Sequence, residues 1–373
     1  MAEPSPADRP ASVRRFAWAA ATVYGALYFL PLPHDAIPGT EALARLSRPL
    51  WDALVDLLAA GTRASVEELG RPSDGSDSAY ELHRCLAALL LALVGGAAAA
   101  MFGRGRRALE RWAVEAAQLY LTLSMLTYGF AKVFHTQFPP LALDQLSERY
   151  GDLAPQAILW NFMSHSTSYN WITGGVEVIA GILVLWPRTR LLGAALAVAV
   201  MTNVLALDIG YEVPVRLYAG HLLLLALAVT LLDGRRLVDF FLRGRATAAP
   251  VLPQPRRPGL DRGARATLLL VAVLVNLHHR REERARFGLD AAPSALVGVY
   301  RAETDAPFSR LVINRYGVAV WFDHDGARLE RDHAVDEAAG ALQPRDPSDV
   351  AYAFERVDGG LVLRAPDGVT RRL

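Results

Sequence analysis

Apolar runs about as long as a bilayer is thick recur along this chain, and arginine-rich stretches separate them. A helix crossing hydrocarbon needs roughly 20 mostly apolar residues, and only helices and closed barrels satisfy their own backbone there. Seven spans are expected on this reading, at 16–32, 82–102, 112–134, 171–186, 191–207, 215–232 and a short one within 266–280. A mean hydropathy of +0.20, with charged residues held to 21%, places the chain among membrane proteins. The apolar run after Arg14-Arg15 lacks a small-residue cleavage site, so it reads as an uncleaved first span.

The expected fold is an all-α polytopic membrane bundle of about seven transmembrane helices with a small extracytoplasmic β domain. Its parts are a disordered cytoplasmic N-terminus (1–15), two spans around an extracytoplasmic amphipathic segment (16–107) and a four-helix core (108–232). A basic cytoplasmic linker (233–265), the seventh span (266–280) and a β-rich domain (289–373) follow. In the amphipathic segment Leu43, Leu46, Leu50, Leu54, Leu57 and Leu58 recur at helical spacing, broken near Pro49. That segment is expected on the membrane surface or capping the bundle. Gly95-Gly96, in the second span, suit close helix approach. The single cysteine, Cys85, excludes an intrachain disulfide, a CxxC redox pair and a thiolate metal cluster.

Arginine clusters set the orientation. Arg14-Arg15, Arg104/Arg106/Arg107/Arg111, Arg188/Arg190 and the arginines of 235–265 fall on one side if the spans alternate. The positive-inside rule then puts the N-terminus in the cytoplasm of a bacterial inner membrane and the C-terminal domain outside. A basic cluster at His278-His279-Arg280-Arg281 opposes this; if the seventh segment does not cross, the tail is cytoplasmic. The tail itself alternates β-prone runs (295–300, 310–314, 318–322, 351–356, 361–364) with turn signals at His324-Asp-Gly, Asp358-Gly-Gly and Pro366-Asp-Gly. It reads as a small antiparallel sheet or partial barrel serving as a cap or docking module.

Of 39 Lys and Arg residues only Lys132 is a lysine, and it lies in the third span. An ammonium is compact and loses its proton when desolvated, which guanidinium does not. Tyr120, Ser124, Tyr128 and Lys132 repeat every four residues as one polar stripe. Glu177, Asn203, Arg216, Tyr218 and His221 fall in the outer halves of the next three spans. Ionisable groups at membrane depth point by default to function, so these seven residues (Tyr128, Lys132, Glu177, Asn203, Arg216, Tyr218 and His221) are the candidate ligand site. Lys132 and Glu177 would neutralise each other. The plainer readings are an internal salt bridge that fixes helix register, or a lysine that snorkels to the headgroups.

Tyr128-Gly-Phe-Ala-Lys132 closes one helix, and Gly174-Gly-Val-Glu177-Val-Ile-Ala-Gly181 opens the next. With Asn203 and Tyr211-Glu-Val-Pro-Val-Arg-Leu-Tyr-Ala-Gly-His221, these motifs make residues 117–232 resemble the DoxX-like membrane proteins. That four-helix unit is related to the DoxD-type small subunit of thiosulfate:quinone oxidoreductase. The resemblance covers about a third of the chain and implies a fold more firmly than an activity. It motivates a redox-associated subunit that binds a quinone or similar lipophile, with electrons supplied by a partner. A transporter or lipid-handling protein and a non-catalytic scaffold docking a partner through the β domain are the alternatives. A metal site from His135, His165 and His221 is a remote fourth, since their spacing matches no ligand pattern. The expected partners are the lipid bilayer and a redox protein or second copy of the chain, with no nucleic acid.

Overall fold

The computed structural model describes residues 9–29, 41–62, 77–102, 106–247, 258–287, 290, 292–302 and 306–373. They divide into two compact units, Met1–Phe130 with Thr173–His279, and Ala131–Ile172 with Arg280–Leu373.

The helices of the first unit are α1 (Arg9–Phe29), α2 (Glu41–Thr62), α3 (Ala79–Phe102) and most of α4 (Arg106–Val133). Between α4 and the rest, the chain forms the short helices α5 (Leu143–Ser147) and α6 (Pro155–His165), which belong to the second unit. The first unit resumes with most of α7 (Thr167–Leu185), then α8 (Arg190–Gly210), α9 (Arg216–Leu231), α10 (Gly234–Leu237) with a π turn over Val238–Leu242, and most of α11 (Pro258–Phe287).

The described residues do not show the seven spans expected. Among the described residues three helices are long and apolar enough to cross a membrane: α3, α7 and α8. A fourth arises only if α9 and the α10–π segment, bent by 71°, count together. The run at 112–134 fails because α4 is polar where it is most buried. Its Gln118 Nε2 donates to the Val184 carbonyl at 3.1 Å and its Thr122 hydroxyl to the Gly181 carbonyl at 3.0 Å. The short seventh span is the middle of α11, a 30-residue helix whose ends are charged. Arg265, assigned to the linker, lies within that helix and bonds Glu115 at 2.6 Å and the Leu185 carbonyl at 2.9 Å. At the other end, α1 already begins at Arg9, inside the stretch expected to be disordered. Arg104 and residues 1–8, 30–40, 63–76 and 248–257 lie outside the described residues, as do the side chains of Arg14, Leu43, Arg106 and Arg107.

Small residues set the helix contacts. A Cβ on Gly96 would stand 2.8 Å from that of Ala20, which brings α3 against α1. A Cβ on Gly129 would meet the Gly174 carbonyl oxygen at 2.7 Å, so α4 and α7 touch backbone to backbone. On α2 the leucine pattern divides. Leu46, Leu50 and Leu57 are exposed, whereas Trp51, Val55 and Ala59 form the buried stripe.

Among the described residues of the second unit, eight strands form one antiparallel meander in chain order. They are β1 (Gly298–Arg301), β2 (Arg310–Ile313), β3 (Val318–Phe322), β4 (Arg328–Asp336), β5 (Ala341–Pro344), β6 (Tyr352–Val357), β7 (Gly360–Arg364) and β8 (Thr370–Arg372). This is a larger sheet than the small domain expected. Three strands escape the sequence reading because β4 is heavily charged and β5 and β8 are short. The Asp-Gly turns are as read: Gly326 and Gly368 take φ +84° and +86°, which only glycine tolerates freely. Leu311, Ile313, Ala319, Trp321, Leu342, Leu361 and Leu363 share one core across non-adjacent strands, so the sheet curls. Inside it Trp321 Nε1 donates to His333 Nδ1 at 3.1 Å, and the opposite ring nitrogen of His333 bonds the Val350 carbonyl at 2.8 Å. Val312, Val320 and Phe322 point the other way and pack with Leu143 of α5.

Gly129→Ala is expected to destabilise the protein by about 1–3 kcal/mol through overpacking. Gly175→Ala, where an added methyl meets nothing within 4 Å, is expected to be silent. Thermal melts of the two variants in detergent test this, and equal midpoints would show that α4 and α7 do not meet as described.

Candidate functional site

The site starts from the way α9 begins. Asp77, two residues ahead of α3, receives the first amides of α9: Arg216 N at 3.0 Å and Leu217 N at 2.8 Å. It also takes the Arg216 side chain at 2.7 Å, while its own N–H donates to the Pro214 carbonyl at 2.6 Å. A carboxylate on the orphan amides of a helix start both caps it and meets its positive end.

One turn along, the Leu217 carbonyl lies 2.6 Å from His221 Nδ1. A carbonyl only accepts, so the neutral ring carries its proton on Nδ1 and leaves Nε2 as an acceptor. The Tyr24 hydroxyl fills that position at 2.7 Å. Tyr28, one turn along α1, stacks on the imidazole with ring centres 3.7 Å apart and planes 12° from parallel. Above Tyr28 sits the Arg84 guanidinium, 5.0 Å from its ring centre and 5.7 Å from that of Trp51. Arg84 Nε donates to Glu81 at 2.8 Å, and both side chains are buried. The Nη2 of Arg84 makes no hydrogen bond.

A second polar group adjoins through Phe29, which contacts Tyr120 at 4.4 Å between ring centres. The buried Tyr218 hydroxyl lies 3.2 Å from that of Tyr120 and 3.3 Å from that of Ser124. The Tyr128 ring is 6.0 Å from Tyr218. The every-fourth stripe of α4 thus meets α9 at Tyr218.

Of the seven candidates, Tyr128, Tyr218 and His221 fall in this region of the first unit. Asn203 does not line it, because α8 turns that side chain outward. Arg216 is surface-exposed and bound to Asp77, so it serves the helix start. Glu177 is 2% exposed in the first unit, and Lys132 is 7% exposed in the second. The sequence reading missed Tyr24, Tyr28 and Arg84. Their signals were a Tyr pair at i,i+4 in the first run and an ion pair at i,i+3 opening the second. His135 and His165 belong to the second unit and His221 to the first. Among the described residues no three His, Cys, Asp or Glu side chains are grouped to hold a metal.

This is the architecture of a helical protein with membrane-length apolar helices joined to a β-sheet unit. Over 148 residues the chain is similar to the uncharacterized protein YwoB of Bacillus subtilis, at 26% identity, covering 37% of this chain and 88% of YwoB. No protein-family profile and no solved structure matches the chain.

His135, just after α4, is a separate feature. It is buried, its backbone is left-handed at φ +57°, and its Nε2 makes no hydrogen bond. Burial pushes its pKa below the ordinary histidine value, against a bond to the Val133 carbonyl that raises it. The folded state therefore binds fewer protons than the unfolded chain in the window just below about pH 6.5, and stability falls as pH drops through it. His135→Asn keeps a residue that tolerates left-handed backbone and removes the titration. Melting midpoints at pH 7.5 and 5.5 are expected to differ less in this variant than in the wild type. The same loss in both would show that His135 does not contribute.

Proposed function

We propose that this chain is a DoxX-like protein of a bacterial cytoplasmic membrane. Its helical unit holds a small lipophilic, quinone-type ligand and works as a redox-associated subunit. The observation that carries this reading is the His221 cluster, with a phenol 2.7 Å from Nε2 and a second phenol stacked at 3.7 Å. A quinone is a flat ring with two carbonyl acceptors, and the Tyr24 hydroxyl, turned from His221 Nε2 to a carbonyl, would donate to it beside aromatic faces. Its reduction to quinol takes two electrons and two protons. A redox partner protein would supply the electrons. The Tyr24 hydroxyl and the His221 imidazole form a hydrogen-bonded pair able to pass the protons. The resemblance of residues 117–232 to DoxX-like proteins supports the same reading.

Protein extracted in mild detergent is expected to carry quinone, measured by mass spectrometry of the lipophilic fraction. Tyr24→Phe and His221→Leu are each expected to lower the quinone-to-protein ratio about tenfold, the value of one or two hydrogen bonds. Wild-type protein free of quinone, or variants that retain it fully, would overturn the proposal.

We also place residues 188–190 and 235–245 on the cytoplasmic side, supported by their arginines. With α11 short of a membrane span, the β unit follows on that same side. In a Cys85→Ser background, Ala246→Cys and Asp325→Cys are both expected to react with an impermeant maleimide only after spheroplasts are permeabilised. Labelling of Asp325→Cys in intact spheroplasts would refute this orientation.

A further inference from the structure

We propose that the segment after α9 is an in-plane anchor that binds anionic phospholipid at the membrane surface. The chain turns sharply there, since α9 and the α10–π segment meet at 71°. With α9 running across a bilayer, the segment runs along its surface. The bend is fixed by Asp233, whose buried carboxylate binds Arg190 of α8 at 3.0 Å and Arg236 of α10 at 2.8 Å. The Asp233 carbonyl also accepts the amides of Arg236 and Leu237, at 2.9 and 3.1 Å. Further on, Arg243 and Arg245 donate their amides to the Val238 and Asp239 carbonyls at 3.1 and 2.8 Å, and Gly244 between them takes φ +59°. The segment is thus ordered by its own bonds, yet its apolar side chains are uncovered. Phe240, Phe241 and Leu242 are 59, 72 and 79% exposed, and the two rings pack edge to face with centres 4.9 Å apart. Adjacent large apolar side chains held outward by ordered backbone mark a surface that something else covers. Charge identifies the cover. Residues 233–245 hold four arginines and two aspartates. Asp233 engages Arg236, and Asp239 engages Arg243 at 2.8 Å. Arg235 and Arg245, one before and one after the apolar group, are exposed and form no ion pair among the described residues. Aromatic and leucine side chains that enter the acyl boundary, flanked by guanidinium groups at headgroup level, fit a leaflet carrying negative lipid. The proposal rests on the reading that the helical unit lies in a membrane with 235–245 on the cytoplasmic side, and it uses no residue of the quinone cluster.

Depth is tested first. The full chain in a Cys85→Ser background carries a nitroxide at Phe241→Cys, or at Leu242→Cys as a second exposed position. It is reconstituted into vesicles of phosphatidylcholine with phosphatidylglycerol. Relaxation of the label by oxygen, which concentrates in hydrocarbon, is compared with relaxation by a water-soluble nickel chelate. The expected result is a label relaxed mainly by oxygen, just below the headgroups. A label shielded from both agents would show that another protein or a second copy covers the patch, and would overturn the anchor. A chain that enters no vesicle removes the membrane reading and the proposal with it, whereas insertion with the label relaxed mainly by the nickel chelate removes the proposal alone. Lipid choice is then read from thermal stabilisation in detergent, on titration with phosphatidylglycerol or phosphatidylcholine in mixed micelles. The phosphatidylglycerol needed for half the effect is expected to rise about fivefold in Arg235→Gln and again in Arg245→Gln, the contribution of one arginine near a charged surface. The phosphatidylcholine response is expected to stay unchanged. Equal responses of the wild type to the two lipids, or an unaltered phosphatidylglycerol response in the double variant, would overturn the proposal.

Discussion

A helix surrounded by other helices or by lipid has no water for its polar side chains, so each must find a partner within the bundle. In the first unit α4 carries most of that requirement. Gln118 and Thr122 donate to carbonyl oxygens of α7, at Val184 in its last turn and at Gly181. Ser124 and Tyr120 meet the Tyr218 hydroxyl of α9. These bonds require close approach, and the glycines provide it: at Gly129 and Gly181 any added Cβ would press on the facing helix. Each such bond contributes only about 1 kcal/mol, but together they fix the rotation of α4 between its neighbours. The polarity that disqualifies α4 as an apolar span is what places it at the centre.

The aromatic cluster depends on a second close contact. The approach of Gly96 to Ala20 lays α1 along α3. Tyr24 and Tyr28, one turn apart on α1, then face inward toward His221, while Arg84 on α3 reaches the Tyr28 ring. A buried ion pair such as Arg84–Glu81 gains little over apolar residues of the same volume, so stability alone does not account for it. Its guanidinium rests on two aromatic rings, which offsets part of the desolvation.

The sequence disclosed those parts of the fold that depend on one segment at a time. The apolar runs at 82–102, 171–186 and 191–207 correspond to the three membrane-length helices, because length and apolarity are properties of a run. The runs at 112–134 and 266–280, and the described part of 16–32, belong to helices whose charged or hydrogen-bonding portions lie outside or within the window chosen. In the sheet, β2 and β3 were legible because both their faces are buried, giving uninterrupted apolar stretches. β4 has one covered residue of note, His333, which enters the core only because Trp321 and the Val350 carbonyl satisfy its ring. Nothing local marks that histidine as a core residue. The site was half legible for the same reason. Tyr128, Tyr218 and His221 are polar against an apolar background, but assigning Tyr24 and Arg84 to them requires knowing which helices touch.

The second unit joins segments 131–172 and 280–373, far apart in sequence. Asp144 of α5 accepts from Asn314 at 3.2 Å, Glu148 pairs with Arg328 at 2.7 Å, and Arg149 donates to the Asp325 carbonyl at 2.9 Å. Together with Leu143 on Val312, Val320 and Phe322, these contacts make the segment after α4 a cover for one face of β2 and β3. The opposite face is covered by the curl of the sheet itself. At these strands both faces are covered by residues of the unit itself, which explains the uninterrupted burial of β2 and β3.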